Sequence, residues 1–222
     1  MKKVFRFLMF GLLALTFAFP ASAQDETDSE SDEDSFLKDP QYQAMVKRRA
    51  AERVGQMNDY ISSMVDEDEY DEDRPGYREA ALTLFIGRGY EYMIGDVKSN
   101  GVKMESTSVG ADGTVNKKSS LIRDYFQRLI DLVLKKKYVS VKIETTDIHD
   151  MEVSSIKKIG EGMYQCSVTF GQTFVGERKD FSSYKDWTQK TVTCYIEVEY
   201  SDEGVEYLVT LGDVKCGETH RL

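Results

Sequence analysis

The chain has 222 residues, 41% of them hydrophobic and 31% charged, with a formal net charge of −10 at pH 7. These are ordinary globular proportions, and the length suits a single domain with a full core. The acidity argues against nucleic acid as a partner, because phosphate binding needs clustered Lys and Arg.

Residues 1–23 have the pattern of a signal peptide. Lys2, Lys3 and Arg6 precede an apolar stretch from Phe7 to Phe19, Pro20 ends it, and Ala21-Ser22-Ala23 supplies a small-residue cleavage pattern. The apolar stretch is 13 residues, short of the roughly 20 that span a bilayer. The expectation is a soluble, exported protein, periplasmic or extracellular, with no membrane span. Removing the three leader cations takes the charge from −10 to −13. Two runs, Asp25 to Asp34 and Asp66 to Asp73, carry seven acids each, so the remainder sums to about +1.

Residues 24–39 are acid- and Ser-rich, with little to bury, and read as a disordered N-terminal segment. A single domain is expected over residues 40–217. Val46, Ala50, Val54 or Met57, Ile61 and Val65 recur at helical spacing. Fraying is expected where this helix meets Asp66-Glu67-Asp68-Glu69, since those charges oppose the helix dipole. The acidic run lacks the oxygen spacing and glycine of a calcium loop. A second helix opens near Pro75-Gly76 and ends at Gly87 and Gly89, and the stretch from Tyr90 to Gly101 reads as irregular. Val102 to Ser106 is a short strand, turned by Gly110 to Gly113.

Ser119 or Ser120 is expected to cap a third helix. Ile122, Phe126, Leu129 and Val133, widened by Tyr125 and Leu132, form a stripe broad enough to lie on a sheet. Lys135, Lys136 and Lys137 close it. Strands follow. Val139, Val141 and Ile143 alternate with polar residues, Gly160-Glu161-Gly162 is a hairpin turn, and Tyr164, Cys166, Val168 and Phe170 share a face. A charged loop from Gly176 to Asp186 leads to Val192, Cys194, Ile196, Val198 and Tyr200. Ser201 to Gly204 turns again, and Tyr207 to Val214 is nearly continuous in hydrophobics. Residues 218–222 read as a frayed tail. Helices preceding antiparallel strands with one polar face make an α+β domain.

That order resembles the nuclear transport factor 2-like fold, a cone in which a curved antiparallel sheet wraps the helices around a pocket. Leu84 to Gly87, Gly101 to Glu105, Tyr164 to Phe170 and Leu211 to Val214 are similar to segments of exported bacterial members of unassigned function. The resemblance spans roughly residues 41–216 and implies a pocket without implying a reaction.

Five residues are candidates for ligand binding. The parity of Val139, Val141 and Ile143 continues to Asp147 and His149, which points a carboxylate and an imidazole toward the helices. Tyr125 on the third helix approaches the same space, and Asp213 lies near the end of the last strand. A bulge between Thr145 and Met151 would instead turn Asp147 and His149 outward and make Ile148 the core residue. Trp187, with Phe181 and Tyr184, brings aromatics to the charged loop, either as a recognition anchor or folded back as a lid.

His149 and His220 are the only histidines, so no metal site or cofactor is expected. Cys166, Cys194 and Cys216 show no metal spacing; one pair could oxidise after export, while the parity of Cys166 and Cys194 favours buried free thiols. No catalytic set stands out. The favoured reading is a non-catalytic exported domain that binds a small molecule or an envelope protein. The alternative is a SnoaL-like or ketosteroid-isomerase-like enzyme using Asp147 and His149. Thr191, Thr193 and Tyr195 offer an outer face for a homodimer in either case.

Overall fold

The computed structural model describes residues 39–135, 138–178, 182–201 and 204–222. The leader, the acidic segment up to residue 38, Lys136, Lys137 and Phe181 lie outside the described residues. Three helices, α1 (Pro40–Val65), α2 (Arg74–Leu82) and α3 (Ile122–Leu134), pack against a large, mostly antiparallel sheet, so the domain is α+β. No described helix is long and apolar enough to cross a membrane.

The α1 stripe is buried as its spacing requires, with Val46, Ala50, Val54, Met57, Ile61 and Val65 in the core. Asp39 caps the helix, its side chain accepting from the Gln41 N–H at 2.8 Å, and Pro40 occupies the first turn where its missing N–H costs nothing. The C-terminal end does not unravel into the acidic run. Arg74, only 2% exposed, donates to the carbonyls of Met64 (2.9 Å), Asp66 (2.8 Å) and Glu69 (3.0 Å) and pairs with Asp71 at 3.2 Å. A guanidinium at a helix C-terminus satisfies orphan carbonyls and offsets the adverse dipole, so the loop is folded over a buried cation. Tyr77 adds a 2.7 Å bond to the Glu69 carboxylate, which pushes its hydroxyl up to about 12.

After α2, Gly87 and Gly89 adopt positive φ and reverse the chain. The stretch expected to be irregular contains a two-stranded hairpin, β1 (Tyr92–Ile94) and β2 (Val97–Ser99). β3 (Lys103–Val109) pairs with β4 (Val115–Leu121). Ser119 and Ser120 therefore belong to a strand and do not cap α3. The chain passes from β4 straight into α3, and the Ile122 N–H donates to the Val102 carbonyl at 2.9 Å. Ser120 instead accepts from Arg128 at 2.7 Å.

The remaining strands are β5 (Ser140–Thr145), β6 (Glu152–Val153), β7 (Lys157–Gly160), β8 (Met163–Glu177), β9 (Ser183–Ser201) and β10 (Gly204–Arg221). The main sheet runs β4-β3-β10-β9-β8-β5, with β6 and β7 also pairing β8. Among the described strands β3 and β10 are the one parallel pair, meeting at Met104 and Val214 beside a bulge in β10, and Phe85 adds an isolated parallel bridge to Leu211. The expected loop from Gly176 to Asp186 is mostly strand, because β8 and β9 stay paired from Met163 opposite Glu197 to Glu177 opposite Ser183. The C-terminal residues are paired as well. Thr219, His220 and Arg221 face Thr188, Trp187 and Asp186 on β9, so the expected frayed tail is the last stretch of β10.

The core lies between the helices and the inner faces of β8, β9 and β10. Tyr164, Cys166, Val168 and Phe170 face it from β8, and Val192, Cys194, Ile196 and Val198 from β9. Phe126 of α3 is fully buried there, edge-on to Phe85 with ring centroids 6.0 Å apart. All three cysteines are buried and free, and Cys166 lies directly opposite Cys194. A hydrogen bond to Cys166, together with burial, pushes the Cys194 thiol well above its usual range, so it behaves as a small hydrophobe.

Candidate functional site

The inner face of β9 has two halves. From Val192 to Val198 every inward side chain is apolar, but the same parity continued toward the strand's start presents Lys190, Thr188 and Asp186, and all three are buried. On β8 the corresponding positions are Phe170, Gln172 and Phe174, which lie opposite Lys190, Thr188 and Asp186. Tyr125 of α3 closes the row from above, its ring centroid 5.5 Å from the Lys190 ammonium. A row of buried polar side chains that meets α3 at its Lys190 end, in continuity with the apolar core, is the candidate site.

Its two ends differ in how their hydrogen bonds are used. At one end Tyr184 donates to the Asp186 carboxylate at 2.6 Å and accepts from the Val109 N–H at 2.8 Å. Burial, then the hydrogen bond to Asp186, pushes the Tyr184 hydroxyl up to about 12. The Thr188 hydroxyl lies 3.0 Å from that of Thr107 on β3, which accepts from Thr219 at 3.2 Å. At the other end Lys190 is 4% exposed, and among the described residues its ammonium has no hydrogen bond and no ion pair. Gln172, 6% exposed, likewise has a buried Nε2 without a partner.

Burial raises the Asp186 carboxyl above its ordinary value of 3.8, against the opposing pull of the Tyr184 hydrogen bond and the Lys190 charge. With the folded value above the unfolded one, the native state holds more protons between the two. Stability therefore falls as pH rises through that window; the penalty is absent below the unfolded value and complete above the folded one. Asp186→Asn, which keeps an acceptor for Tyr184, should flatten this slope in thermal melts across the acid range. An unchanged slope would mean that Asp186 does not carry it.

Of the five residues singled out from sequence, only Tyr125 reaches this row. Asp147 and His149 are exposed, because β5 ends at Thr145 and the chain enters a single 3-10 turn over Ile148–Asp150. Asp147 caps that turn, accepting from the His149 N–H at 2.9 Å. The strand parity that would have aimed both at the helices stops two residues too early, and acid–base chemistry by this pair beneath Tyr125 lacks its geometry. Ile148 is 38% exposed, yet its Cδ1 lies so close to α1 that a Cβ on Gly55 would come within 2.5 Å of it. His149→Ala should change stability by less than about 0.5 kcal/mol, and Asp147→Ala should cost no more than about 1 kcal/mol for the lost cap. Urea unfolding measures both; a larger loss would assign the turn a structural role.

Trp187 belongs to β9 and lies on the outer face of the sheet, half-buried. It stacks on His220 with ring centroids 5.0 Å apart and lies across Gly171, where a Cβ would come within 2.6 Å of its Nε1. It is neither a loop anchor nor a lid. Asp213 sits in the β10 bulge, where its carboxylate accepts from the Lys103 N–H at 2.8 Å and fixes the start of β3. Thr191, Thr193 and Tyr195 are half-buried on the outer face, and burial holds the Tyr195 hydroxyl at about 12. Among the described residues there is no group of three metal-ligating side chains.

Asp186, Thr188, Lys190 and Gln172 were missed because their charge and polarity resemble a loop. The available signal was the parity of Val192, Cys194 and Ile196 extended backward through Lys190. No protein-family model matches this chain, and a search of curated proteins finds no match either.

Proposed function

We propose that this chain is an exported, non-catalytic binding domain of the nuclear transport factor 2-like kind, which holds a small molecule between α3 and the inner face of β8 and β9. One observation carries the reading: Gln172, Asp186, Thr188 and Lys190 are buried in a row on the inner face of β8 and β9, with Lys190 against Tyr125 of α3, where the rest of that face is apolar. Buried polar groups cost free energy unless they are paired, and converging polar groups between aromatic walls are the usual make-up of a ligand site. Tyr125, Phe170 and Phe174 supply such walls. Export is supported by the leader pattern over residues 1–23, and the cone by the order of helices, short strand, third helix and long strands.

The test is to purify the protein from an exporting host without denaturation and weigh it by native mass spectrometry. A retained small molecule, or a metabolite that raises Tm by several degrees, is the expected result. A bare protein mass with no stabilising compound in a broad metabolite library would sink the reading, and capture of an envelope protein alone would move the binding surface elsewhere.

A further inference from the structure

At the Lys190 end of the row a buried ammonium and a buried amide N–H have no acceptor among the described residues, and from this we infer that the ligand is an organic monocarboxylate whose carboxylate sits between the Lys190 ammonium and the Gln172 amide. The inference rests on the binding reading above and gives that ligand its chemistry.

Lys190 and Gln172 are diagonal neighbours on the core face, since Lys190 lies opposite Phe170 and Gln172 opposite Thr188 in the β8–β9 register. Such diagonal positions are about 7–8 Å apart at their Cα atoms, which lets a long lysine and a glutamine converge on one small group. Both side chains are more than nine-tenths buried. The Gln172 Nε2 is an unpartnered donor, and among the described residues the Lys190 ammonium has the face of the Tyr125 ring as its one close contact, with the Asp186 charge acting on it from farther off. A ring face offsets part of the lost hydration of an ammonium but supplies no negative charge.

Asp186 is not the missing partner. It sits four residues along the strand from Lys190, roughly 13 Å at the backbone, and the two form no ion pair, the Lys190 charge reaching its carboxyl only at longer range. Its carboxylate already accepts from Tyr184. Thr188 lies between them and is engaged with Thr107. The other cation near this end, Lys117, is bound to the Cys216 carbonyl and lies 3.6 Å from Glu105. One fixed positive charge and one amide donor on neighbouring positions therefore lack an acceptor among the described residues.

A carboxylate fits that pair, with one oxygen for the ammonium and one for the amide N–H. The surroundings select what is attached to it. Phe170 and Phe174 flank Gln172 on β8, and Tyr125 covers Lys190 from the helix, so the rest of the ligand meets rings and not water. A free inorganic anion would gain nothing from those apolar surroundings. An apolar acid, aliphatic or aromatic, uses both parts.

The experiment is isothermal titration of the full chain with a series of monocarboxylates, from acetate to octanoate plus phenylacetate and 3-phenylpropionate. Each is measured beside its primary amide, with sodium phosphate as a separate arm. At least one apolar acid should bind ten-fold or more tightly than its amide. Lys190→Met should remove that preference, and Gln172→Leu should reduce it several-fold, with both variants still folded by thermal melt. Equal binding of acid and amide would overturn the carboxylate assignment while leaving the binding reading intact. Phosphate binding as tightly as the best acid would overturn the organic part. If no acid binds the inference fails; should native mass spectrometry still find a retained compound, the binding reading would survive it.

Discussion

Replacing Arg74 with alanine should destabilise the fold by about 3–5 kcal/mol, the largest loss expected from any single side chain outside the apolar core. The guanidinium is buried and serves three carbonyls at once, those of Met64, Asp66 and Glu69. Each buried acceptor left without a donor costs about 1–3 kcal/mol, reduced where water can enter. The last turn of α1 and the acidic run from Asp66 to Asp73 depend on the same cation, so its loss also restores the repulsion between the helix dipole and the carboxylates. In a domain of this size the change corresponds to a fall in Tm of roughly 6–20 °C. Arg74→Lys should recover only part of it, since a point charge cannot span three carbonyls as the planar fork does. Urea unfolding of both variants measures the difference. A loss below about 1 kcal/mol for the alanine variant would mean that the loop carbonyls rehydrate freely.

Lys190→Met should have the opposite sign. A buried ammonium without an anion pays for its desolvation with little return, and methionine has similar length and can fill the same space beside Tyr125. Replacing buried charges by apolar residues of similar volume commonly stabilises by about 1–4 kcal/mol. The expected gain here is about 1–3 kcal/mol, or roughly 2–12 °C in Tm. A lysine kept for structure would behave differently, because its removal would lower stability. Stabilisation combined with loss of ligand affinity is the trade-off expected where a protein keeps an unfavourable group for binding. If thermal melts show Lys190→Met to be less stable than the parent, Lys190 holds the fold and the site assignment loses its strongest support.

The legibility of the fold followed the strength of local periodicity. The α1 and α3 stripes and the alternations in β8 and β9 stood out because each segment presents one face to the core, and burial enforces the period. β4 did not, since Val115 to Ser119 are all exposed and Lys117 and Lys118 interrupt any apolar pattern. Such an edge strand exists because β3 offers it a ladder, which is information its own residues lack. The start of β9 failed for the same reason. Ser183, Lys185 and Asp186 look like loop, yet backbone pairing with β8 carries the strand through all three, and the end of β10 joins it at Asp186 and Lys185.

The candidate site shows the limit more sharply. Asp147 and His149 were the natural choice under regular strand parity, and a carboxylate capping its own turn was enough to end that parity. Lys190, Thr188 and Asp186 obeyed parity throughout, but charged residues on a core face conflict with burial, and local consistency favours reading them as solvated. Such conflicts between local chemistry and global position gather at functional sites.

The sequence by itself was sufficient for the α+β class, the order of helices and long strands, the buried cysteines and the burial of Tyr125. Those properties depend on patterns a few residues long, through the helical and strand periods. Only the tertiary structure decided that Arg74 gathers the end of α1, that the C-terminal residues complete β10, and that the buried Lys190 ammonium and Gln172 amide N–H lie on neighbouring positions without an acceptor among the described residues. Each of these depends on which distant backbone lies alongside, and that is set by the packing of the whole sheet against three helices.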